Sequence, residues 1–371
     1  MKKICFVTAS DVTIKAFMIN HLIELSKVYE ITIITNTDNK FFLEPYNLKN
    51  INLIKVDISR KISLKKDINS LIQLIKIFKR ENYNTIHSIT PKAGLITSIA
   101  GKITNIENRV HIFTGQVWKN YSGVKRELFK LIDKLISNLN TEILIDSHSQ
   151  KEFLIKEKVL KKNQGIVLGS GSISGVDMNR FKLDKLKRQN LRKELNIKED
   201  EVLFGFLGRL TNDKGIKELL EAFNCKELRE NKLLIVGPDE EGLTELLKKE
   251  NIIYLGHQSI PEDYLNIMDI FCLPSHREGF GSVLIEAGAM GLPCIASNIY
   301  GIQDAIKDKK TGLLHEVKDI EDLRSKLIKL NNDAELRGNL GKEAKKRVLK
   351  EFSSEKVTEE WVKFYTNMIK K

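Results

Sequence analysis

The sequence has few of the residues that cross-link small secreted domains or interrupt folded ones. Its 371 residues include only four cysteines and six prolines. No two cysteines form a Cys-x-x-Cys pair, and none has a histidine at zinc-finger spacing. Neither a disulfide framework nor a structural zinc site is predicted, and a reducing cytoplasm fits this cysteine usage best. The cysteines are Cys5, Cys225, Cys272 and Cys294.

Long apolar runs are also missing. No run approaches the roughly 18 residues that a bilayer-spanning helix needs. The apolar run at residues 4–9 ends at Ser10 and Asp11 without a cleavage-type sequence, so it predicts a first β-strand rather than a signal peptide. At this length, with 42% hydrophobic residues, two folded domains with substantial cores are expected.

The formal net charge of +12 lies entirely in the first part of the chain. Residues 1–170 contain 27 Lys plus Arg and 15 Asp plus Glu, whereas residues 171–371 contain 34 of each. Nucleic acid, an anionic membrane and an anionic substrate would each be attracted to such a region. Because there is no nucleic-acid reading motif and no interleaving of aromatic with basic residues, no nucleic-acid partner is predicted.

Short β-rich runs alternate with helical patterns in both halves, which join at the Gly/Ser-rich residues 169–175. This alternation predicts an α/β fold of two doubly wound domains, each with a parallel sheet covered by helices. Ligands bind at the carboxyl ends of strands in such sheets, so two facing domains would enclose a cleft. The predicted strands are 4–8, 31–35, 51–56, 85–88, 109–113, 143–146, 202–206, 233–236, 252–255, 270–273 and 293–296, and the predicted helices include 17–26, 64–80, 214–223, 262–268 and 283–290.

The stretch 206–216, FLGRLTNDKGI, runs from a strand end through a polar loop into a helix. Gly208 lets a ligand approach the backbone, while Arg209 and Lys214 bring two cations near a helix N-terminus. This pattern indicates a site for anionic oxygens. A solvated loop is the alternative, because Gly-Arg dipeptides are common.

The stretch 275–287, SHREGFGSVLIEA, leads from a glycine-punctuated loop into a helix that begins near Ser282. The free N–H groups of such a helix start are suited to a diphosphate. Glu286 follows one turn later among small and apolar residues, where a ligand hydroxyl pair is a reasonable partner, and Glu278 lies in the loop. The alternatives are a surface position for Glu278 and a buried ion pair for Glu286.

These two stretches together resemble the nucleotide-sugar site of the retaining family 4 glycosyltransferases, which have the two-domain GT-B fold. The resemblance implies that Arg209 and Lys214 neutralise the donor diphosphate, that Glu286 binds the ribose hydroxyls, and that Glu278 lies near the donor sugar. The implied donor-binding residues are Gly208, Arg209, Lys214, Gly279, Phe280, Gly281, Ser282 and Glu286, with catalytic roles for Glu278, Arg209 and Lys214.

The same resemblance implies a UDP-sugar donor, attack from the face of the leaving group, and no metal or other cofactor. No covalent nucleophile is assigned. The sequence contains no Asp-x-Asp pair, the metal–diphosphate signature of the other glycosyltransferase fold.

The first half departs from the common family pattern. The loop after the first strand carries Lys15 where relatives have a glycine pair, although a plain helix-start lysine is the alternative. Thr114 takes the place of a frequent histidine after the fifth strand, and His111 is interpreted as a sheet residue. Lys92 follows a proline suited to a helix start. The candidate acceptor contacts are Lys15, Lys92, Thr114, Gly115 and Gln116.

Residues 87–94, 114–118 and 169–177 resemble a narrower group, the bacterial capsule and O-antigen glycosyltransferases. Members extend an undecaprenyl-diphosphate-linked sugar, and one adds N-acetylfucosamine. The resemblance implies a lipid-linked acceptor and peripheral attachment to the inner face of the cell membrane. Residues 117–137, with five cations and two acids, and residues 64–80 are candidate contacts with an anionic membrane surface. Ordinary helices packed on the sheet are the alternative.

The chain is thus expected to comprise a membrane-facing acceptor domain (1–170), a nucleotide-sugar domain (171–350) and a final helix (351–371) that crosses back to the first domain. A GT-B transferase with a soluble acceptor, a nucleotide-sugar epimerase and a non-catalytic basic RNA- or lipid-binding protein are the alternatives.

Overall fold

The computed structural model describes residues 1–48, 50–59 and 63–370. By packing, the chain divides into two units: Met1–Ser174 together with the segment that begins at Ser354, and Gly175–Ser353. Each unit contains one six-stranded sheet in which every strand pairing is parallel. The doubly wound α/β architecture predicted from the alternation of strand and helix patterns is confirmed.

The first unit contains six of the predicted strands and the helices between them. Its strands are β1 (Lys3–Val7), β2 (Glu30–Thr35), β3 (Asn52–Lys55), β4 (Thr85–Ile89), β5 (Asn108–Phe113) and β6 (Glu142–Ile145). Its helices up to residue 174 are α1 (Asp11–Phe17), α2 (Ile19–Leu25), α3 (Leu64–Glu81), α4 (Pro91–Ile103), α5 (Gly123–Leu139) and α6 (His148–Lys156), with 3₁₀ turns at Glu44–Tyr46 and Val117–Asn120.

The second unit repeats this plan. Its strands are β7 (Leu203–Leu207), β8 (Lys232–Val236), β9 (Ile252–Tyr254), β10 (Ile270–Leu273), β11 (Cys294–Ser297) and β12 (Gly312–His315). Its helices are α7 (Lys185–Glu194), α8 (Ile216–Phe223), α9 (Pro261–Ile267), α10 (Ser282–Ala289), α11 (Ile302–Ala305), α12 (Ile320–Asn332) and α13 (Ala334–Arg347), followed by a π-helical turn at Val348–Phe352. The final helix, α14 (Ser354–Lys370), belongs to the first unit.

Two predicted helices differ from the structure. The predicted helix 17–26 begins earlier, at Asp11, because the Ser10 hydroxyl caps it by accepting from the Val12 N–H, and α1 gives way to α2 at Met18. The predicted helix 214–223 is divided at Gly215 into a 3₁₀ turn and α8. Within the described residues, no helix combines the length and the hydrophobicity that crossing a bilayer requires.

The two faces of the first sheet are covered by different helices. The strand order is β3-β2-β1-β4-β5-β6. The crossovers through α3, α4 and α5 all run in the same direction across the sheet, and right-handed connections therefore place these helices on one face. Cys5 and Val7 pack on that face with Leu74 and Ile96.

The opposite face is covered by α1, α2 and α14. Because side chains alternate along a strand, Ile4 and Phe6 point to this face, where they pack in one cluster with Leu22 and Trp361. The final helix thus completes the core of the first unit.

Two buried histidines hold α14 in place. The indole of Trp361 stacks between the rings of His21, with centroids 4.6 Å apart, and His87, with centroids 5.3 Å apart. His21 also hydrogen-bonds the Thr358 hydroxyl at 2.9 Å, and His87 the Tyr365 hydroxyl at 2.5 Å. Both histidines are fully buried.

We expect the free energy of unfolding of the first unit to fall as the pH drops from about 6.5 to about 4. Burial lowers the pKa of His21 to about 4 and that of His87 well below its ordinary value of 6.5. In the unfolded chain these histidine rings take up protons at a higher pH than in the folded protein. The free energy of unfolding therefore falls on acidification below pH 6.5, by about 3 kcal/mol for His21. Tryptophan fluorescence during urea unfolding isolates this unit because both tryptophans, Trp118 and Trp361, belong to it.

In this experiment His21→Gln should reduce the fall in stability, whereas His148→Gln, at an exposed histidine of the same unit, should not. An undiminished fall in the His21→Gln variant would contradict the assignment of a neutral buried ring.

Candidate functional site

The second sheet has a topological switch point between β7 and β10. Its strand order is β12-β11-β10-β7-β8-β9, so the chain leaves β7 toward β8 and leaves β10 in the opposite direction, toward β11. Diverging connections leave a crevice at the carboxyl ends of two such strands, where doubly wound sheets bind ligands. The loops that follow β7 and β10 are those that contain the two predicted motifs.

Close backbone contact joins these two loops. A Cβ at Gly215 would lie 2.1 Å from the carbonyl oxygen of Pro274, and Gly215 has a φ of +72°, so only glycine fits there. The His276 N–H donates to the Asp213 carbonyl at 2.8 Å, and the Arg277 guanidinium donates to the Asp213 carboxylate at 2.8 Å. The loop after β7 is therefore held in register with the loop after β10.

Asp213 remains ionised in this contact. Burial opposes its ionisation, but the hydrogen bond from the Thr211 hydroxyl and the charge of Arg277 outweigh burial and hold the pKa of Asp213 below its ordinary value. The sequence motifs gave Asp213 and Arg277 no role, because neither has a distinctive spacing.

Lys214 and Glu278, one from each loop, form an ion pair. The Nζ atom of Lys214 lies 2.5 Å from Oε1 of Glu278, and the two side chains are only 18% and 14% exposed. Gly301 supports the Glu278 loop from behind: a Cβ there would lie 2.5 Å from the carbonyl oxygen of Gly279. Thus Glu278 is not a free surface residue, and the predicted cation and carboxylate are in contact.

Arg209 has a different partner. Its guanidinium lies 2.7 Å from the carboxylate of Glu240, in the loop after β8, and both side chains are about half exposed. Gly208 continues the sheet pairing by donating its N–H to the Val236 carbonyl at 2.9 Å. Arg209 and Lys214 therefore follow the same strand but pair with carboxylates of different loops.

The loop before α10 presents backbone rather than side chains. Gly281 is the N-cap of α10, and Ser282 is its first residue, as predicted. The Phe280 side chain is 1% exposed and packs edge-to-face on Phe352, with centroids 5.2 Å apart. Of the predicted donor contacts, Gly279, Phe280 and Gly281 can thus meet a ligand only through their main chain.

Glu286 lies in the second turn of α10 and is largely buried. Among the described residues, it forms no ion pair. Burial raises its pKa to about 7; Arg180 opposes this shift and Glu262 adds to it. Arg180 and Glu262 are themselves paired, because the Arg180 guanidinium binds both carboxylate oxygens of Glu262 at 2.6 and 2.7 Å.

Arg180 is a site residue that the sequence patterns do not identify, since nothing in its spacing relates it to Glu286, 106 positions later. Ser275 is another. It follows β10, is fully buried, and its hydroxyl has no hydrogen-bond partner in the part of the chain that the structure describes.

The candidate acceptor residues of the first unit follow three neighbouring strands, β1, β4 and β5, at the carboxyl edge of that sheet. Lys15 pairs with Asp11 at 2.8 Å, one turn away in α1. Lys92 lies 2.7 Å from Asp67 of α3 and is 16% exposed. Both lysines therefore have carboxylate neighbours.

Residues 114–116 form the loop after β5. Gly115 has a φ of +117°, and Thr114 is partly exposed. Gln116 is fully buried, and its side-chain carbonyl accepts from the Gln150 amide at 3.1 Å. His111 is 1% exposed within β5 and hydrogen-bonds the Ser88 hydroxyl at 2.9 Å, which confirms its interpretation as a sheet residue.

Two protein families match the chain. The family described as Glycosyl transferases group 1 matches residues 187–347, and the family described as Glycosyl transferase 4-like matches residues 3–147. The first match contains both loops of the switch point, and the second contains all the candidate acceptor residues.

Bacterial proteins are similar to this chain over most of its length. The capsular polysaccharide biosynthesis glycosyltransferase CapM of Staphylococcus aureus is 34% identical over 325 residues, which cover 85% of each chain. The UDP-Gal:alpha-D-GlcNAc-diphosphoundecaprenol alpha-1,3-galactosyltransferase of Escherichia coli is 29% identical, over 84% of this chain and 82% of its own.

Solved structures show the same fold. HepE of Anabaena, in complex with UDP and glucose, superposes with a TM-score of 0.82 at 16% identity, covering 99% of this chain and 100% of HepE. Sucrose-phosphate synthase of Thermosynechococcus elongatus superposes with a TM-score of 0.80 at 19% identity, covering 99% of both chains.

We expect Glu286→Gln to stabilise the protein at high pH. The carboxyl of Glu286 has a pKa of about 7 in the folded state against 4.5 ordinarily, so the unfolded chain releases its proton first. The free energy of unfolding of the wild type therefore falls as the pH rises from 4.5 to 7. The glutamine variant has no such proton, so its free energy of unfolding should exceed that of the wild type by about 2–3 kcal/mol at pH 8 and by little at pH 4.

Denaturant unfolding followed by circular dichroism measures this difference. Glu250→Gln, at an exposed glutamate of the same unit, is the control and should give no such gap. Equal free energies of unfolding of wild type and Glu286→Gln at pH 8 would show that burial does not raise the pKa of Glu286.

Proposed function

Because the chain belongs to the family 4 glycosyltransferases of the GT-B fold, the group 1 glycosyl transferases, we propose that it moves a sugar from a UDP-sugar to an undecaprenyl-diphosphate-linked saccharide. It is a glycosyltransferase of polysaccharide biosynthesis. The observation that carries the proposal is the arrangement of Lys214, Glu278 and Glu286 at the switch point of the second sheet.

The proposed role of Lys214 is to stabilise the departing diphosphate. Negative charge grows on the diphosphate as the glycosidic bond breaks, and a cation already in position lowers that barrier. Lys214 is largely buried and held by Glu278. A bound diphosphate would share the three N–H donors of Lys214 with Glu278, which leaves a carboxylate oxygen of Glu278 to accept from a hydroxyl of the donor sugar.

Arg209 would supply the second cation. Its present partner, Glu240, is about half exposed, and exposed ion pairs contribute about 1 kcal/mol or less. A diphosphate can therefore replace Glu240 at little cost. Backbone N–H groups of residues 279–282, at the start of α10, would complete the anion site.

Glu286 would accept hydrogen bonds from the two ribose hydroxyls. Its carboxylate forms no ion pair with any described residue, so the nucleotide would supply the polar partners that burial removes. The proposed reaction is retaining: the acceptor attacks from the face of the leaving group, with no covalent nucleophile and with Arg209 and Lys214 in place of a metal ion.

The acceptor and the sugar are inferred from relatives and from charge. The Escherichia coli relative is named for a diphosphoundecaprenol acceptor, as is a Campylobacter jejuni relative that is named for an N-acetylgalactosaminyl transfer. We accordingly propose an N-acetylated sugar such as N-acetylfucosamine, acceptor contacts among Lys15, Lys92 and residues 114–116, and peripheral attachment to the inner face of the bacterial membrane.

Turnover tests the site. Purified protein should release UDP from one member of a UDP-sugar panel when it is given undecaprenyl-diphosphate-linked saccharides in EDTA. Lys214→Ala and Glu286→Ala should lower kcat/KM roughly hundredfold or more, because each removes a group aimed at the nucleotide or at the developing charge. Lys217→Ala, at an exposed lysine of α8, is the matched control and should retain full activity. Release that requires added metal, or variants with undiminished turnover, would refute these roles.

Donor binding should become tighter as Glu286 ionises. Because its pKa is about 7, the affinity for UDP-N-acetylglucosamine, whose diphosphate does not titrate in this range, should rise about tenfold between pH 6 and pH 8. Isothermal titration in EDTA measures this, and Glu286→Gln should show weak, pH-independent binding. The same pH dependence in the glutamine variant would assign it to another group.

A further inference from the structure

Two helices of the first unit expose apolar side chains along their outward faces. On α3, Leu64, Ile68 and Ile72 are 77%, 57% and 46% exposed, at a spacing of four residues. Leu74 and Phe78, on the side of α3 that faces the sheet, are buried. Apolar side chains therefore lie both on the buried side of α3 and on the exposed surface of its first half.

The outward face of α5 is apolar along its whole length. Val124, Leu128, Leu131 and Leu135 are 87%, 55%, 62% and 43% exposed, at spacings of four, three and four. This is the spacing of one side of an α-helix. Ile136 on the other side is fully buried, so packing on the sheet does not account for the outward stripe.

These stripes belong to one surface. The helices α3, α4 and α5 cover the same face of the sheet, α4 lies between the other two, and Ile103 at its end is 53% exposed. This layer carries eight of the 14 large hydrophobic side chains that are exposed among the described residues of the first unit. An exposed apolar patch of this kind marks an interaction site.

Lysines without a described carboxylate partner accompany the apolar stripes, and one of them, Lys125, lies 3.8 Å from the centre of the Tyr121 ring. These lysines are exposed, and none forms an ion pair among the residues that the structure describes. They are Lys65, Lys76 and Lys79 on α3, Lys102 on α4, and Lys125 and Lys134 on α5. Arg126 and Lys130, by contrast, both bind Glu157 at 2.7 Å, which removes them from the set of cations that residues 117–137 were expected to offer.

The positive charge of this surface indicates which kind of partner it binds. A second copy of this chain would bring a like-charged face against these lysines in a two-fold contact, which is repulsive. An anionic bilayer instead accepts leucine and isoleucine side chains at the headgroup boundary and attracts the surrounding lysines. We propose that the outer surface of the α3–α4–α5 layer is the face by which this protein lies on an anionic membrane, an inference that rests on the proposed function for its lipid-linked acceptor.

Flotation with vesicles tests this surface. Wild-type protein should float with phosphatidylcholine vesicles that contain about 30% phosphatidylglycerol, and less so with pure phosphatidylcholine or at high salt. Lys125→Gln/Lys134→Gln should weaken the partition coefficient roughly 10- to 30-fold, and Leu131→Ser should weaken it several-fold. Unchanged Trp118 and Trp361 fluorescence checks that the first unit stays folded.

The second unit offers matched controls on α7. Leu186 is 68% exposed, close to the 62% of Leu131, and Lys185 and Lys193 are exposed as well. Leu186→Ser and Lys185→Gln/Lys193→Gln should float like the wild type. Equal losses in the α5 and α7 variants, undiminished flotation of the α5 variants, or a change of oligomeric state in light scattering in place of a change in flotation would overturn the proposal.

UDP release with a short-chain, water-dispersed acceptor separates the two proposals. If the α5 variants lose flotation but keep this activity, both proposals are supported. If the wild type releases no UDP yet its flotation depends on α5, the proposed function fails while the membrane face stands.

Discussion

The close approach of two loops at the β7–β10 switch point is the constraint on which the candidate site depends. Gly215 lies against the Pro274 carbonyl, and Asp213 binds both the backbone of the neighbouring loop and Arg277. Any side chain at Gly215 would push the loops apart. With the loops in register, Lys214 meets Glu278 in a largely buried pair, and α10 begins beside them at Ser282 without a side-chain cap from Gly281. The proposed binding of the diphosphate and of the sugar thus depends on one packing contact.

The charged side chains of this site differ in how they are paired. Lys214 is paired inside the protein, Arg209 is paired at the surface, and Glu286 forms no ion pair with a described residue. The proposed UDP-sugar donor would suit these differences, because its diphosphate would take the cations and its ribose would supply hydroxyls to the carboxylate. Burial raises the pKa of Glu286, and the charges of Arg180 and Glu262 act on that pKa in opposite directions.

The first unit shows how one sheet can serve two purposes. One face is closed by α14, whose Trp361 fits between two neutral histidines. The other face carries three helices whose outer sides are apolar and basic. The same right-handed crossover rule places all three helices together, so the proposed membrane surface arises from connections that also build the core.

The sequence by itself determined most strands, the start of α10 and the positions of Lys214, Glu278 and Glu286, because buried parallel strands are continuous apolar runs and the motifs are local. It also predicted that His111 belongs to the sheet. Only the tertiary structure decided which charges meet: Glu240 with Arg209, Arg180 with Glu262, and Glu157 with two of the cations expected on the membrane side. These partners are 27 to 82 residues apart in the chain, and no local pattern encodes such contacts. The joining of α3 and α5 into one surface was likewise decided by strand order, a property of the whole sheet.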